Sequence, residues 1–218
     1  MAKKLYAILF LVAALGLGLW AQSTIITMGE KQIEIPDPDF PAPKMDATQV
    51  AQLNFFDTDA VVMRAVYGDP KIIEAMATDE RDIDVSMKNP FFMAFTVAEL
   101  DAYDFSEAEF LEMGADMAAG VAQGLSGVTE GEDSDVESAI ILGESFRTRF
   151  SFGLTVLVKD EVTGKTMIMV LCPTLVKGKL LMLMSGIEYS DNLSINKVER
   201  HLRRWSSDIY QANPSRIK

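Results

Sequence analysis

The chain reads as an α+β protein: a mostly antiparallel β-sheet with helices packed on both faces, an α/β/α sandwich. Three observations predict this. Thr166 to Val176 and Leu180 to Tyr189 are apolar at odd and even positions alike, and a strand apolar on both faces must be covered on both. The turns that punctuate this region, Val162-Thr163-Gly164-Lys165 and Lys177-Gly178, are too short for crossover connections, so the strands they join run antiparallel. Two stretches with apolar residues at helical spacing, one after Ser106 and one from about Ser194, supply the cover.

From the amino end, Thr24 to Met28 and Gln32 to Ile35 are β-prone runs joined by Gly29-Glu30-Lys31, a hairpin. Pro36, Pro38, Pro41 and Pro43 then remove backbone donors, so residues 36–43 should run extended over the surface. Asp46 with Gln49 marks the start of a short helix to about Leu53. Val61 to Tyr67 is a strand ending at the turn Gly68-Asp69, and Asp69 caps one or two helical turns from Pro70 to Met76. Phe91 to Ala98 is a further strand. Ser106-Glu107-Ala108-Glu109 is a capping box, with Phe105 and Phe110 as its hydrophobic staple. Phe110, Met113, Met117 and Val121 carry that helix to about Gln123. Gly124, Gly127, Gly131 and the acidic run Glu130 to Glu137 read as a loop. Phe146, Phe150, Phe152, Leu154, Val156 and Val158 share one parity, opposite Arg147, Arg149, Ser151, Thr155 and Lys159, which predicts one half-buried strand. The last helix carries Ile195, Val198, Leu202, Trp205 and Ile209 on one stripe and stops at Asn213-Pro214.

The first 21 residues carry the clearest functional signal. Lys3 and Lys4 precede an uncharged apolar run from Leu5 to Trp20, and small Ala21 follows. That order is what a secretory signal peptide needs. The run is just short of the roughly 20 residues that span a bilayer. Leu19 is bulky where a small residue favours processing, so an uncleaved anchor in the inner membrane is the alternative to cleavage. Either way residues 22–218 are expected outside the cytoplasm, periplasmic or secreted, as a single α/β sandwich domain.

The chain of 218 residues has a formal charge of −12, or −14 once Lys3 and Lys4 leave with the leader. Such acidity repels nucleic-acid phosphates and anionic membranes. The single cysteine, Cys172, excludes an intrachain disulfide, and the sequence has no internal repeat.

Candidate chemistry is sparse. Ser194-Ile195-Asn196-Lys197 and Ser190-Asp191-Asn192 fit two motifs of penicillin-recognising enzymes, but in reversed order and adjacent. A helix cap by Asp191 or Ser194 explains the same residues. Cys172 and His201 are the sole thiol–imidazole pair, yet Cys172 lies in an apolar strand and His201 beside an apolar stripe. One histidine and one cysteine are too few for an ordinary zinc site. Asp133, Asp135, Glu137 and Glu144 occupy the first, third, fifth and twelfth positions of a calcium-loop template, with Ser138 where glycine belongs. Met167, Met169, Met182 and Met184 are soft donors suited to copper(I), and equally ordinary core filler. Lys197, Arg200, Arg203 and Arg204, followed by Arg216 and Lys218, make the carboxyl end basic in an acidic chain, a candidate partner-docking surface.

The segment Ile35 to Phe40, the run Leu175-Val176-Lys177-Gly178-Lys179-Leu180-Leu181 and a closing helix with Arg204-Trp205 and Ala212-Asn213-Pro214 complete a recognisable layout. It resembles that of small exported bacterial proteins and, more distantly, the PsbP-like and DcrB-like α/β/α sandwich group. The resemblance implies periplasmic accessory or interaction roles and carries no catalytic residues. The expectation is therefore a non-enzymatic exported protein without a cofactor, acting on another envelope protein or a second copy. Alternatives are a small-molecule or metal-binding protein using a pocket near Arg147 and Arg149, and, third, a small hydrolase.

Overall fold

The computed structural model describes residues 23–53, 60–77, 87–114, 116–117, 136–160 and 164–214. The leader, Asp133, Asp135, Arg216, Lys218 and the expected helix beyond residue 117 lie outside the described residues. Strands β1 (Ser23–Met28) and β2 (Lys31–Pro36) form the expected hairpin. Helix α1 (Ala47–Gln52) starts where Asp46 and Gln49 close a reciprocal capping box. Then come β3 (Val61–Tyr67), α2 (Pro70–Ala77), β4 (Phe91–Val97) and a single 3₁₀ turn, Ala98–Leu100. Helix α3 covers residues 107–114. The Ser106 hydroxyl accepts from the Glu109 amide at 3.2 Å, and the Glu109 carboxylate accepts from the Ser106 amide at 2.7 Å. The chain ends with β5 (Val136–Arg147), β6 (Phe152–Asp160), β7 (Thr166–Val176), β8 (Lys179–Glu188) and α4 (Asn192–Ala212).

Six strands make one antiparallel sheet in the order β3-β4-β8-β7-β6-β5. Its two faces are apolar, as the two-sided runs in β7 and β8 require, and each has its own cover. On one face Ile168, Val170, Cys172, Leu181 and Leu183 pack against Val198, Leu202, Trp205 and Ile209 of α4 and against Ile26, Met28, Ile33 and Ile35 of the hairpin. On the other, Met93, Phe95, Leu154, Met182 and Met184 meet Val50 of α1, Ile73 of α2 and Phe110 of α3. The α+β sheet covered on both faces is thus the observed architecture.

Two local expectations are corrected. Residues 146–158 are not one strand. Residues 148–151 turn the chain, because the Thr148 hydroxyl accepts from the amides of Phe150 and Ser151 while its own amide reaches the Ser151 carbonyl at 2.7 Å. Phe146 consequently faces α4, whereas Phe152 and Leu154 face α3. Ser151 and Thr155, expected on a polar face, are buried and bonded to Ser206 and Glu199 of α4. The second correction is β5, whose stretch from Val136 to Glu137 begins a strand where a loop was expected. β5 is an outer strand whose pairing with β6 shifts register at three places, and such bulges twist an edge away from unwanted pairing.

The proline-rich segment runs along α4 and is held there by side chains. Trp205 donates its indole N–H to the Pro36 carbonyl at 2.7 Å. Tyr67 donates to Asp37 at 3.0 Å, and Phe40 packs edge-on to His201.

Candidate functional site

One end of the sheet gathers four short pieces of chain around a cavity of about 560 Å³. They are the β5–β6 turn, the β7–β8 turn, the start of α3 and the carboxyl end of α4. The β7–β8 turn has two residues, Lys177 and Gly178, with φ of 51° and 79°. This is the left-handed pair that a tight hairpin needs. Gly178 takes it without strain; Lys177 pays about 1 kcal/mol for it. Two contacts hold Lys177 there: its ammonium donates to the Gln32 carbonyl at 2.8 Å, and its carbonyl accepts from Lys31 at 2.7 Å. The Phe105 amide donates to the Gly178 carbonyl at 2.7 Å, docking the entry to α3 on the turn.

The cavity walls are aromatic and charged. Phe150, at the tip of the β5–β6 turn, stacks face to face on Tyr210 of α4, with ring centres 3.9 Å apart and planes 6° apart. Phe105 and Leu175 extend the apolar wall. Arg149 beside them grips Glu107 through both carboxylate oxygens, and this bond holds the Glu107 carboxyl below its ordinary range. Below the turn, Lys179 is buried, donating to the carbonyls of Asp101 and Tyr103 at 2.8 and 3.0 Å and pairing with Asp104 at 2.8 Å. Lys31 holds the same carboxylate, and the two ammonium groups keep the Asp104 pKa low. Lys31, Lys177, Lys179 and Arg149 thus gather at this corner of an acidic chain, among the carboxylates of Asp104, Glu107 and Glu109.

The residues singled out from sequence go to other tasks. Lys197 lies over the Phe40 ring, 5.3 Å from its centre, and Arg204 pairs with Asp39 at 2.6 Å. Half of the candidate docking set therefore secures the proline-rich segment, while Arg200 and Arg203 stay exposed. Cys172 is fully buried, and burial pushes its thiol up to about 12. Its partners are Thr174, Ser206 and Ser151, whereas His201 sits against Phe40 with its pKa lowered by burial. The thiol and the imidazole are not assembled into a pair. The Ser194 hydroxyl accepts from the Asp191 amide, and Asp191 caps α4 in return, so the cap explains the serine–lysine motif. The last eight positions of the calcium template, Glu137 to Glu144, lie in extended β5 and cannot wrap an ion as that loop must. Glu144 pairs with Arg147 instead. Met167, Met169, Met182 and Met184 all pack on the α3 face of the sheet.

Of the two arginines considered for a pocket, Arg149 lines the cavity and Arg147 does not. Arg147 turns to the α3 face and lies 5.0 Å from the Phe152 ring centre. The sequence places Glu107, Phe150, Lys177 and Tyr210 in a cap, a strand, a turn and a helix, and only the folded chain brings them to one cavity.

No protein-family model matches the chain, and no curated protein matches it. Among solved structures, the Ran-binding protein Mog1p of Saccharomyces cerevisiae aligns over 88% of this chain and 90% of its own, at 10% identity and a TM-score of 0.37. A point mutant of Mog1 aligns over the same shares at 10% identity and a TM-score of 0.38.

Proposed function

We propose that this chain is an exported, non-enzymatic binding protein of the bacterial envelope, delivered by residues 1–21 and acting by holding a partner. The observation that supports the reading is the occupation of the three side chains singled out as catalytic candidates, Cys172, Ser194 and His201. Cys172 is buried and protonated, Ser194 serves a helix cap, and His201 packs on Phe40. A nucleophile needs a base within reach and an open approach, and none of these three has both. The layout shared with the PsbP-like and DcrB-like group belongs to the same proposal, as does a partner that is another envelope protein or a second copy.

Amino-terminal sequencing of the protein recovered from the periplasmic fraction tests the export half. A start at Gln22 is expected. A start at Met1 in the membrane fraction would replace the cleaved leader by an anchor, and recovery in the cytoplasm alone would overturn export. The non-enzymatic half is tested with a panel of generic esterase and peptidase substrates. Turnover lost in Cys172→Ala or Ser194→Ala would refute it.

A further inference from the structure

We infer that the cavity between the two turns and the end of α4 is a binding site for a carboxylate attached to an apolar, preferably aromatic, group. This goes beyond the proposed function, because it concerns the folded chain alone and stands whether or not residues 1–21 direct export.

Size comes first. About 560 Å³ lies within the range of roughly 300–1,000 Å³ common to small-molecule sites. The wall chemistry then selects the ligand. The stacked Phe150–Tyr210 pair, Phe105 and Leu175 provide apolar surface, where a ring gains from contact with aromatic faces. Arg149 and Lys177 line the same cavity and provide positive charge beside the carboxylate of Glu107.

Arg149 is suited to a second carboxylate. Its Nε and Nη2 atoms engage Glu107, and among the described residues it has no other hydrogen-bond partner. The Nη1–Nη2 edge therefore keeps the parallel pair of donors that matches a carboxylate in bidentate fashion. The Arg149 side chain is also 76% exposed, so a ligand reaches it without moving the chain. Lys177 adds an ammonium that spends one donor on Gln32 and retains others.

The field has the right sign as well. Of the charged side chains that line the cavity, Arg149 and Lys177 are cations and Glu107 is an anion, against a chain that is negative as a whole. The amino end of α3 and the carboxyl end of α4 both abut the cavity and oppose each other in sign, so the side-chain cations decide. The local excess of cations favours an anion at the cavity.

The test is a two-dimensional NMR titration of the full folded domain with 3-phenylpropanoate and its neutral amide, 3-phenylpropanamide. Saturable shifts at the amides of Phe150, Lys177 and Tyr210 are expected, with a dissociation constant on the order of 1 mM for so small a probe. The amide should bind about tenfold more weakly, because it forfeits the charged bidentate pair. Arg149→Gln should weaken the carboxylate by a similar factor and leave the amide unchanged; Arg149→Lys, which keeps the charge and loses the fork, should fall between and guards against a variant that misfolds. An N-acetylated tripeptide ending in phenylalanine forms a second arm. Tighter binding of the peptide assigns the carboxylate to a chain terminus, and weaker binding assigns it to a small molecule. Equal binding of acid and amide, shifts centred away from these residues, or indifference to both Arg149 variants would overturn the inference.

Discussion

Asn213, the residue after α4, gives the sharpest test of how this fold closes. It is 1% exposed and its side-chain amide behaves as a detached peptide unit. Nδ2 donates to the Glu34 carbonyl at 2.7 Å and to the Ile209 carbonyl at 2.8 Å, while Oδ1 accepts from the Glu34 amide at 2.9 Å. One side chain thus completes the outer edge of β2 and caps the last turn of α4, joining segments far apart in sequence. Asn213→Ala removes all three bonds. At about 1 kcal/mol net for each hydrogen bond, the loss is about 3 kcal/mol, and more if the freed groups stay dry. Asn213→Asp should cost at least as much at neutral pH, since it sets an anion against two carbonyls at the negative end of a helix.

The aspartate variant also has a pH signature. Its carboxyl is held protonated more strongly in the folded than in the unfolded chain, so its folded pKa is raised. Stability should then recover as pH falls through that raised value towards the unfolded one, because the folded state binds the extra proton. Urea denaturation followed by circular dichroism measures both effects. With a slope of about 1–3 kcal/mol per molar for small proteins, a 3 kcal/mol loss moves the midpoint by roughly 1–3 M. An alanine variant within about 0.5 kcal/mol of wild type, inside the range of ordinary surface changes, would refute the argument. So would an aspartate variant with no recovery in acid.

Three further outcomes are expected. With its thiol pushed up to about 12 from 9.0, Cys172 should react with a disulfide reagent only as fast as the protein opens. Above pH 9 the unfolded chain loses a proton that the native thiol keeps, so stability should fall as pH rises towards 12; labelling of the native protein at the free-thiol rate would contradict the burial. The Asp104 carboxyl is held below its ordinary 3.8 by Lys179 and Lys31. It should therefore stabilise the fold above that value and lose the contribution as pH falls through the lower folded one, and Asp104→Asn should flatten that acid limb in a urea titration at low salt. Gly153 faces Phe146 directly across the β5–β6 ladder, and a Cβ there would overlap the Phe146 ring. Gly153→Ala should destabilise by about 1–3 kcal/mol in thermal unfolding, as overpacking does, and Gly153→Ala with Phe146→Leu should recover part of it.

Much of the fold was legible because its signals are local. Asp46 with Gln49, Asp69 before Pro70, Ser106 with Glu109 and Asp191 with Ser194 are caps whose donors and acceptors lie within three residues of each other. The β5–β6 turn was not legible. Arg147-Thr148-Arg149-Phe150-Ser151 contains neither glycine nor proline, and its four-residue turn leaves the alternation of apolar residues unbroken, so parity ran through a reversal of the chain. β5 was hidden because its amino end shares the acidic composition of the preceding run, while the apolar neighbours that stabilise it come from β6.

What the sequence determined by itself was the class of fold: two-sided apolar runs demand cover on both faces, and the helix caps and short turns say which segments provide it. What only the tertiary structure decided was which side chains share a wall. Arg149, Lys177, Glu107 and Tyr210 belong to four elements with no local signal in common, and the cavity exists because two hairpin turns, a helix start and a helix end meet at one end of the sheet. Periodicity reports which way a residue faces within its own element. The meeting of elements is set by strand order and by long-range contacts such as Asn213 on Glu34 and Trp205 on Pro36, which have no counterpart in local sequence.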